Sequence, residues 1–341
     1  MGRKVVIGSV RAAALSGGFF LAGGAIPLFG EIAMLLAPAP ILIFAVGRAS
    51  ANLRALCTVL LAALLVSALS ATFAGASLGL MVGGRYLATF GIATIVMTWM
   101  IGLHRPFELV LVAAAGAMCT AAAVVALIAA GGPVPLVKAV QALLSQMMVQ
   151  GQEGYRSLGI PNPMPPEAQA AALDSMIRIL PALGAISAAL SVMFNLRVFW
   201  RWAGKQRLSY PLFGDLLRWS APEWLIWGLI GSGFGMLAPI VAIRDVAVNA
   251  FLCFAVVYLC QGLAIMAFYF QALAVPGVVR GIIYFVVLGY PFVAAIGYPF
   301  AAVGYFVVPI LVCLAGVFDM WIDFRRLKPP SQEAGNYGDF L

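Results

Sequence analysis

The sequence predicts an all-α fold, a polytopic transmembrane helical bundle of about ten spans with an external amphipathic helical segment. Three observations predict it. Hydrophobic residues make up 64% of the 341 residues and charged residues 9%, against roughly 25% charged in a soluble domain. A soluble core of this size has no room for so much apolar surface, so lipid must solvate much of it. The apolar residues also come in runs near the length that crosses a bilayer, about 20 residues. Finally, the basic residues crowd into alternate gaps between those runs. Arg3 and Lys4 precede the first run, Arg48 and Arg54 flank a later gap, and Arg105 marks another. Arg197, Arg201, Lys205, Arg207 and Arg218 fill the next, then Arg280, then Arg325, Arg326 and Lys328. The intervening gaps hold only Lys138, Arg156, Arg178 and Arg244. This is the positive-inside pattern. It predicts a multi-pass membrane protein with both termini cytoplasmic.

The spans are expected near 5–28, 31–47, 53–74, 77–102, 107–131, 176–203, 221–240, 247–273, 279–297 and 300–324. The first resembles a signal peptide, because Arg3-Lys4 mimics a charged n-region. A second apolar run begins at Glu31 and others follow, so an uncleaved span is the better reading. Segment 31–47 is short and carries Pro38 and Pro40, and 279–297 is interrupted by Pro291. Either reads as a broken or re-entrant helix, which needs its freed backbone groups to face protein or a water cavity. Eight full spans plus one re-entrant hairpin is therefore the alternative count.

Residues 132–175 form the external segment. Leu136, Val137, Val140, Leu143, Leu144, Met147 and Met148 recur at three- and four-residue steps, with Lys138, Gln141, Ser145 and Gln146 between them. That spacing predicts an amphipathic helix on the outer membrane surface or capping the bundle. Gly151, Gly154 and the prolines at 161, 163, 165 and 166 are expected to break it. Pro166-Glu167 suits the first turn of a new helix, with a carboxylate at the positive end of the dipole. That helix is expected to enter the membrane with a kink at Pro181. Ser220-Ala-Pro-Glu223 is a capping-box pattern ahead of the seventh span, and Trp219, Trp224 and Trp227 fit an interfacial aromatic belt. Residues 1–327 thus read as one membrane domain and 328–341 as a disordered cytoplasmic tail.

Several motifs stand out. Gly75, Gly79 and Gly83 share a helix face, as do Ala14, Gly18 and Ala22, and Gly231 and Gly235. Such faces let a neighbouring backbone approach closely, and packing within the chain explains them most simply. Gly289-Tyr-Pro-Phe292 nearly repeats as Gly297-Tyr-Pro-Phe300. It reads either as a tight hairpin with headgroup-level tyrosines or as a pair of broken helices of the kind that line transporter sites.

Polar side chains at membrane depth point to function, because an arginine at mid-bilayer costs about 2.5–3.5 kcal/mol on insertion scales. Arg11 lies near the cytoplasmic end and snorkels. Arg85 lies deeper and is expected to face the bundle, offering a cation to an anionic ligand. Asn249 and Gln261 are further ligand-binding candidates, about 120° apart in projection and so on different stripes. Arg244 and Asp245 at the outer mouth of the same span are candidates too, most simply as a rim pair. Asp319, Asp323 and Arg326 share one face of the last helix. Asp323 is expected to pair with Arg326 or to lock the helix against Arg197 and Arg201. A free docking point for a cytoplasmic partner, with Arg325 and Arg326 beside it, is the alternative.

Enzymatic chemistry is not indicated. No HExxH, GxSxG or phosphate-binding glycine loop is present, so no catalytic residue is assigned. Cys57, Cys119, Cys253, Cys260 and Cys313 fall in apolar runs and His104 is the single histidine. Disulfides, a metal site and any cofactor are therefore not expected. The net charge of +8 sits at the borders of apolar runs, which suits anionic headgroups and not nucleic acid.

The ending Cys313-Leu-Ala-Gly-Val-Phe-Asp-Met-Trp-Ile-Asp-Phe-Arg-Arg326 and the stretch Asn249-Ala-Phe-Leu-Cys-Phe-Ala-Val-Val-Tyr-Leu-Cys-Gln-Gly-Leu-Ala-Ile265 resemble the YybS-like family of predicted bacterial membrane proteins. The amphipathic segment and the basic exit after Asn195 agree, so the resemblance spans nearly the whole chain. The family is a domain of unknown function. It is grouped at a distance with the substrate-binding subunits of energy-coupling-factor vitamin transporters. This resemblance implies that Ala14, Gly18 and Ala22 dock a coupling subunit. The extra helices and outer segment depart from the six-helix plan of those subunits. The function expected is a membrane-embedded binding or transport subunit for a small or lipid-like molecule, with no energy source of its own. Its expected partners are membrane lipids, a small-molecule ligand and a membrane-protein or coupling subunit. A non-transport accessory or scaffold subunit is the rival.

Overall fold

A computed structural model describes residues 3–26, 29–48, 50–157, 166–206, 217–289 and 307–326, and among them every regular element is helical. In chain order these are α1 (Arg3–Ala25), α2 (Phe29–Leu35), α3 (Ala39–Ala45), α4 (Ala51–Ala74), α5 (Ala76–Tyr86), a π turn (Leu87–Gly91) and α6 (Ile92–Gly102). Then come α7 (Phe107–Ala130), α8 (Pro133–Ser157), α9 (Pro166–Lys205), α10 (Leu225–Gly235), α11 (Val241–Ala272), α12 (Gly277–Tyr284) with a π turn (Phe285–Gly289), and α13 (Val307–Ile322).

Among the described residues, six stretches are long and apolar enough to cross a membrane: Val5–Gly23, Ala51–Phe73, Ala76–Gly102, Phe107–Ala130, Glu167–Lys205 and Val241–Ala272. Their outer faces carry the side chains lipid would wet, with Leu64 67%, Val112 68% and Ile128 75% exposed. This supports a multi-pass membrane location. The expected count of ten is not reached by helix length. At 1.5 Å per residue, the 11 residues of α10 rise only about 16 Å, against a hydrocarbon core of about 30 Å. The GYPF repeat lies almost wholly outside the described residues, and so do the end of the ninth expected span and the start of the tenth.

The chain divides into two units, residues 1–146 with 180–213, and 147–179 with 214–341. In the first, α1 packs on α2, α3 and α4, α4 packs on α5 and α6, and α6 packs on α7. Its core gathers Ala13, Ile41, Val59, Val66 and Tyr86, each fully buried. Phe20 packs edge-on to Tyr86 and Phe90 at centroid distances of 5.3 and 5.8 Å. Gly75 alone turns α4 into α5, at φ 89°, a conformation L side chains resist. Gly79 and Gly83 then lie against α4. A methyl at Gly79 would stand 2.5 Å from the Ser67 carbonyl oxygen, and one at Gly83 would stand 3.0 Å from that of Ala63. This glycine face is spent on a contact within the chain.

In the second unit α11 packs on α10 and α13, around Ala221, Ile226 and Tyr258. Gly262 and Gly316 bring α11 and α13 together so closely that a methyl on either would strike the other helix's backbone at Val312 or Tyr258.

Two local expectations are corrected. Helix α8 runs through Gly151 and Gly154 to Ser157, because an isolated glycine costs only about 1 kcal/mol relative to alanine and does not stop a helix. Val137, Leu143 and Met147 on its apolar face are exposed. The Ser220 capping box does not start α10, which begins at Leu225. The Ala221 amide instead donates to the Gln261 side chain at 3.0 Å.

Candidate functional site

The polar chemistry of the first unit centres on the break between α2 and α3. Pro38 and Pro40 cannot supply the amides that would cap the end of α2, so its carbonyls need other donors. They find them on other helices. Ser16 of α1 donates to the Ala37 carbonyl at 2.6 Å, and the Tyr86 hydroxyl in turn donates to Ser16 at 2.7 Å. From α9, Ser191 and Asn195 both donate to the Leu35 carbonyl, at 3.1 and 2.7 Å. Ser16, Tyr86 and Asn195 are all fully buried. The broken helix is thereby satisfied from within the protein, as hydrocarbon demands. One buried acceptor is left over, Asn195 Oδ1.

Beside this break lies an open groove of about 680 Å³, walled by Ala12, Leu15 and Phe19 of α1, Leu36, Ala39, Pro40, Ile43 and Phe44 of the broken helix, and Val198 and Trp202 of α9. Arg48 and Gln206 complete the lining. Its size falls within the range of small-molecule sites, about 300–1,000 Å³. Arg48 is held in place: its Nη1 donates to the Ile43 carbonyl at 3.1 Å and to that of Phe44, and its guanidinium lies 5.3 Å over the Phe44 ring.

The second unit has two polar clusters. In one, Asp319 takes the Arg325 guanidinium at 2.6 Å, with side chains 4% and 0% exposed. It also accepts from Gln261 Nε2 at 3.1 Å and from the Phe324 amide at 3.1 Å. Arg325 Nη1 donates to the carbonyls of Leu217 and Trp219 at 2.8 and 2.9 Å. In the other, Arg178 bridges Asp174 at 2.9 Å and Asp245 at 3.0 Å. There Asn249 donates to the carbonyls of Arg178 and Asp245, both at 2.7 Å.

Against the sequence expectations, Arg85 is exposed and lines no groove described here; the side chain its turn buries is Tyr86. Asp245 pairs with Arg178 and not with Arg244, which is exposed. Asn249 and Gln261 fall in separate clusters, as their projection angle requires. At the C-terminal exit the buried pair is Asp319–Arg325, a pair absent from the sequence expectations, in which Asp323 pairs with Arg326 or locks the helix against Arg197 and Arg201. The helix ends at Ile322, and Asp323 and Arg326 adopt φ 45° and 51°, which folds the chain back and turns Arg325 onto Asp319. Arg326 is exposed, as is Arg201, and the Arg197 guanidinium lies 5.1 Å over the Trp200 ring. Sequence reasoning missed Ser16, Tyr86, Ser191 and Arg48. The proline-broken helix was the only available signal that such donors had to exist.

A family model described as a predicted membrane protein, DUF2232, matches residues 14–306. The chain belongs to the DUF2232 family. The YybS-like resemblance fits that assignment. No curated protein and no solved structure matches the chain. The DUF2232 match includes the α2–α3 break and nearly all of the groove, and it stops before α13, so Asp319 and Arg325 lie beyond it.

Proposed function

We propose that this DUF2232 protein is a membrane-embedded binding or transport subunit for a small or lipid-like molecule, working without an energy source of its own. The observation that carries the reading is the broken α2–α3 helix, its freed carbonyls met by α1 and α9, standing against a groove of about 680 Å³. Discontinuous helices of this kind line substrate sites in transporters. The four shorter apolar helices, Ala33–Ala45, Leu225–Gly235, Gly277–Leu288 and Val307–Ile322, complete the ten-segment arrangement, with both termini in the cytoplasm of a bacterial inner membrane. To test it, the full chain and an Ile43→Trp variant are purified in mild detergent and their co-purifying small molecules identified by mass spectrometry. A compound near one per protein in the wild type and depleted in the variant supports the reading. Equal retention in both overturns the groove as the site.

The accessory or scaffold reading has its own observation. Ala14 and Gly18 are exposed and line a shallow apolar groove of about 460 Å³ with Leu65, Leu69 and Thr72. Among the described residues, no other part of the chain lies within 4 Å of a methyl built on Gly18, its own helix turn aside, which suits close approach by another protein's helix. A stoichiometric membrane-protein partner, lost in a Gly18→Leu variant while the small molecule is absent, favours this reading.

A further inference from the structure

The groove beside the α2–α3 break has a chemistry that narrows its occupant, and the following inference rests on reading it as a binding site. We infer that it holds an anionic lipid, its phosphate-type headgroup at Arg48 and its acyl portion along α1. The walls supply the first argument. Along α1 the lining residues Ala12, Leu15 and Phe19 extend over about 10 Å at 1.5 Å per residue. Ile43, Phe44, Val198 and Trp202 line the same groove, so the side chains along its long part are apolar or aromatic. A free inorganic anion gains nothing from such walls, whereas an acyl chain does.

The mouth supplies the second argument. Among the described residues Arg48 is the one charged residue of the lining, and no acidic residue is among them. The carbonyls of Ile43 and Phe44 engage Nη1, and Nε and Nη2 of the same rigid fork are not used in that contact. A guanidinium so held binds phosphate in the geometry it prefers, at low entropic cost. Helix α9 adds charge at the same end. Val198, Trp202 and Gln206 recur every four residues along the groove, and exposed Lys205 directly precedes Gln206. At about 100° per residue, Lys205 flanks the lining stripe and does not oppose it. A zwitterionic headgroup would bring a second cation against Arg48 and Lys205 with no carboxylate in the lining to receive it.

The test uses the full chain, delipidated in detergent and returned to nanodiscs of phosphatidylcholine alone or with phosphatidylglycerol, with bound lipid counted by native mass spectrometry. The wild type is expected to retain phosphatidylglycerol about tenfold better than phosphatidylcholine. Arg48→Gln is expected to lose about that tenfold preference, one charge-assisted contact, while Arg48→Lys recovers part of it and Lys138→Gln, on exposed α8, keeps all of it. Circular dichroism of each variant confirms that the helices are intact. If Ile43→Trp lowers retention of both lipids but the wild type holds them equally, the groove binds and the anionic assignment is overturned. If Ile43→Trp changes neither, the groove reading itself falls. Displacement of bound phosphatidylglycerol by millimolar inorganic phosphate would overturn the lipid in favour of a free anion.

Discussion

Replacing Asp319 with alanine removes the acceptor on which three groups of the second unit converge. Arg325 Nη2, Gln261 Nε2 and the Phe324 amide each lose a bond to it, at 2.6, 3.1 and 3.1 Å. The fourth effect is electrostatic: the Arg325 side chain is 0% exposed, and its charge is left without a counterion. Breaking a buried pair from one side costs about 3–5 kcal/mol, and that is the loss expected for Asp319→Ala. Arg325→Met should cost a similar amount, because it strands the carboxylate and also the carbonyls of Leu217 and Trp219. The double variant Asp319→Leu/Arg325→Met removes both charges together. What remains unpaired is neutral, and each such group costs about 1–3 kcal/mol. The double variant is therefore expected to fall well short of the sum of the two singles, with a coupling of about 2–3 kcal/mol. The assay is reversible unfolding of the full chain in mixed micelles, titrated with a denaturing detergent and followed by circular dichroism. Single variants within about 0.5 kcal/mol of wild type, or strictly additive costs, would refute the argument that this pair holds α13 to its unit.

Other outcomes follow from the same structure. Asn195→Leu deletes the donor to the Leu35 and Ser191 carbonyls and should cost about 1–3 kcal/mol in the same titration; a neutral result would remove Asn195 from the support of the break. Gly83→Leu forces a side chain into Ser67 and Ala63 and should cost about 1–3 kcal/mol by overpacking. Gly84→Leu, with nothing within 4 Å of the added carbon, should stay within about 0.5 kcal/mol; equal effects at the two positions would contradict the α4–α5 contact. For topology, an impermeant thiol reagent applied to intact cells should label a single cysteine placed at 152 and spare those at 205 and 328. The opposite pattern would invert the orientation.

Much of the helical order was legible because apolar runs of bilayer length and alternating basic gaps are one-dimensional signals. The proline-bearing segment 31–47 also announced its own break. Pairings across helices were not legible, since residues such as Ser16 and Tyr86 are 70 apart in sequence and hydroxyls barely disturb an apolar run. Gln261 and Asp319 were each visible as polar residues in apolar helices, but nothing in the sequence said that they meet. The Arg325 omission has a sharper cause. Helical spacing was extended past Ile322, where left-handed residues reverse the chain, and so the Asp319–Arg325 pair was not foreseen. Arg85 misled for the opposite reason: its depth in the apolar run is real, but the direction in which a side chain points is fixed by neighbours that the local pattern does not contain.

The Arg325 cluster reads its neighbouring segment through main-chain atoms alone. The groups engaged are the carbonyls of Leu217 and Trp219 and the amide of Ala221, and every amino acid but proline offers all of these. These bonds do not depend on which side chains the stretch carries, although Trp219 and Ala221 also pack in the unit's core, but they do depend on its length. Inserting or deleting one residue between 217 and 221 would shift the carbonyls out of step with a guanidinium that cannot follow. Among relatives the spacing of the stretch should hold even where its letters outside the packed Trp219 and Ala221 change, a constraint that an alignment scored by identity is not built to notice.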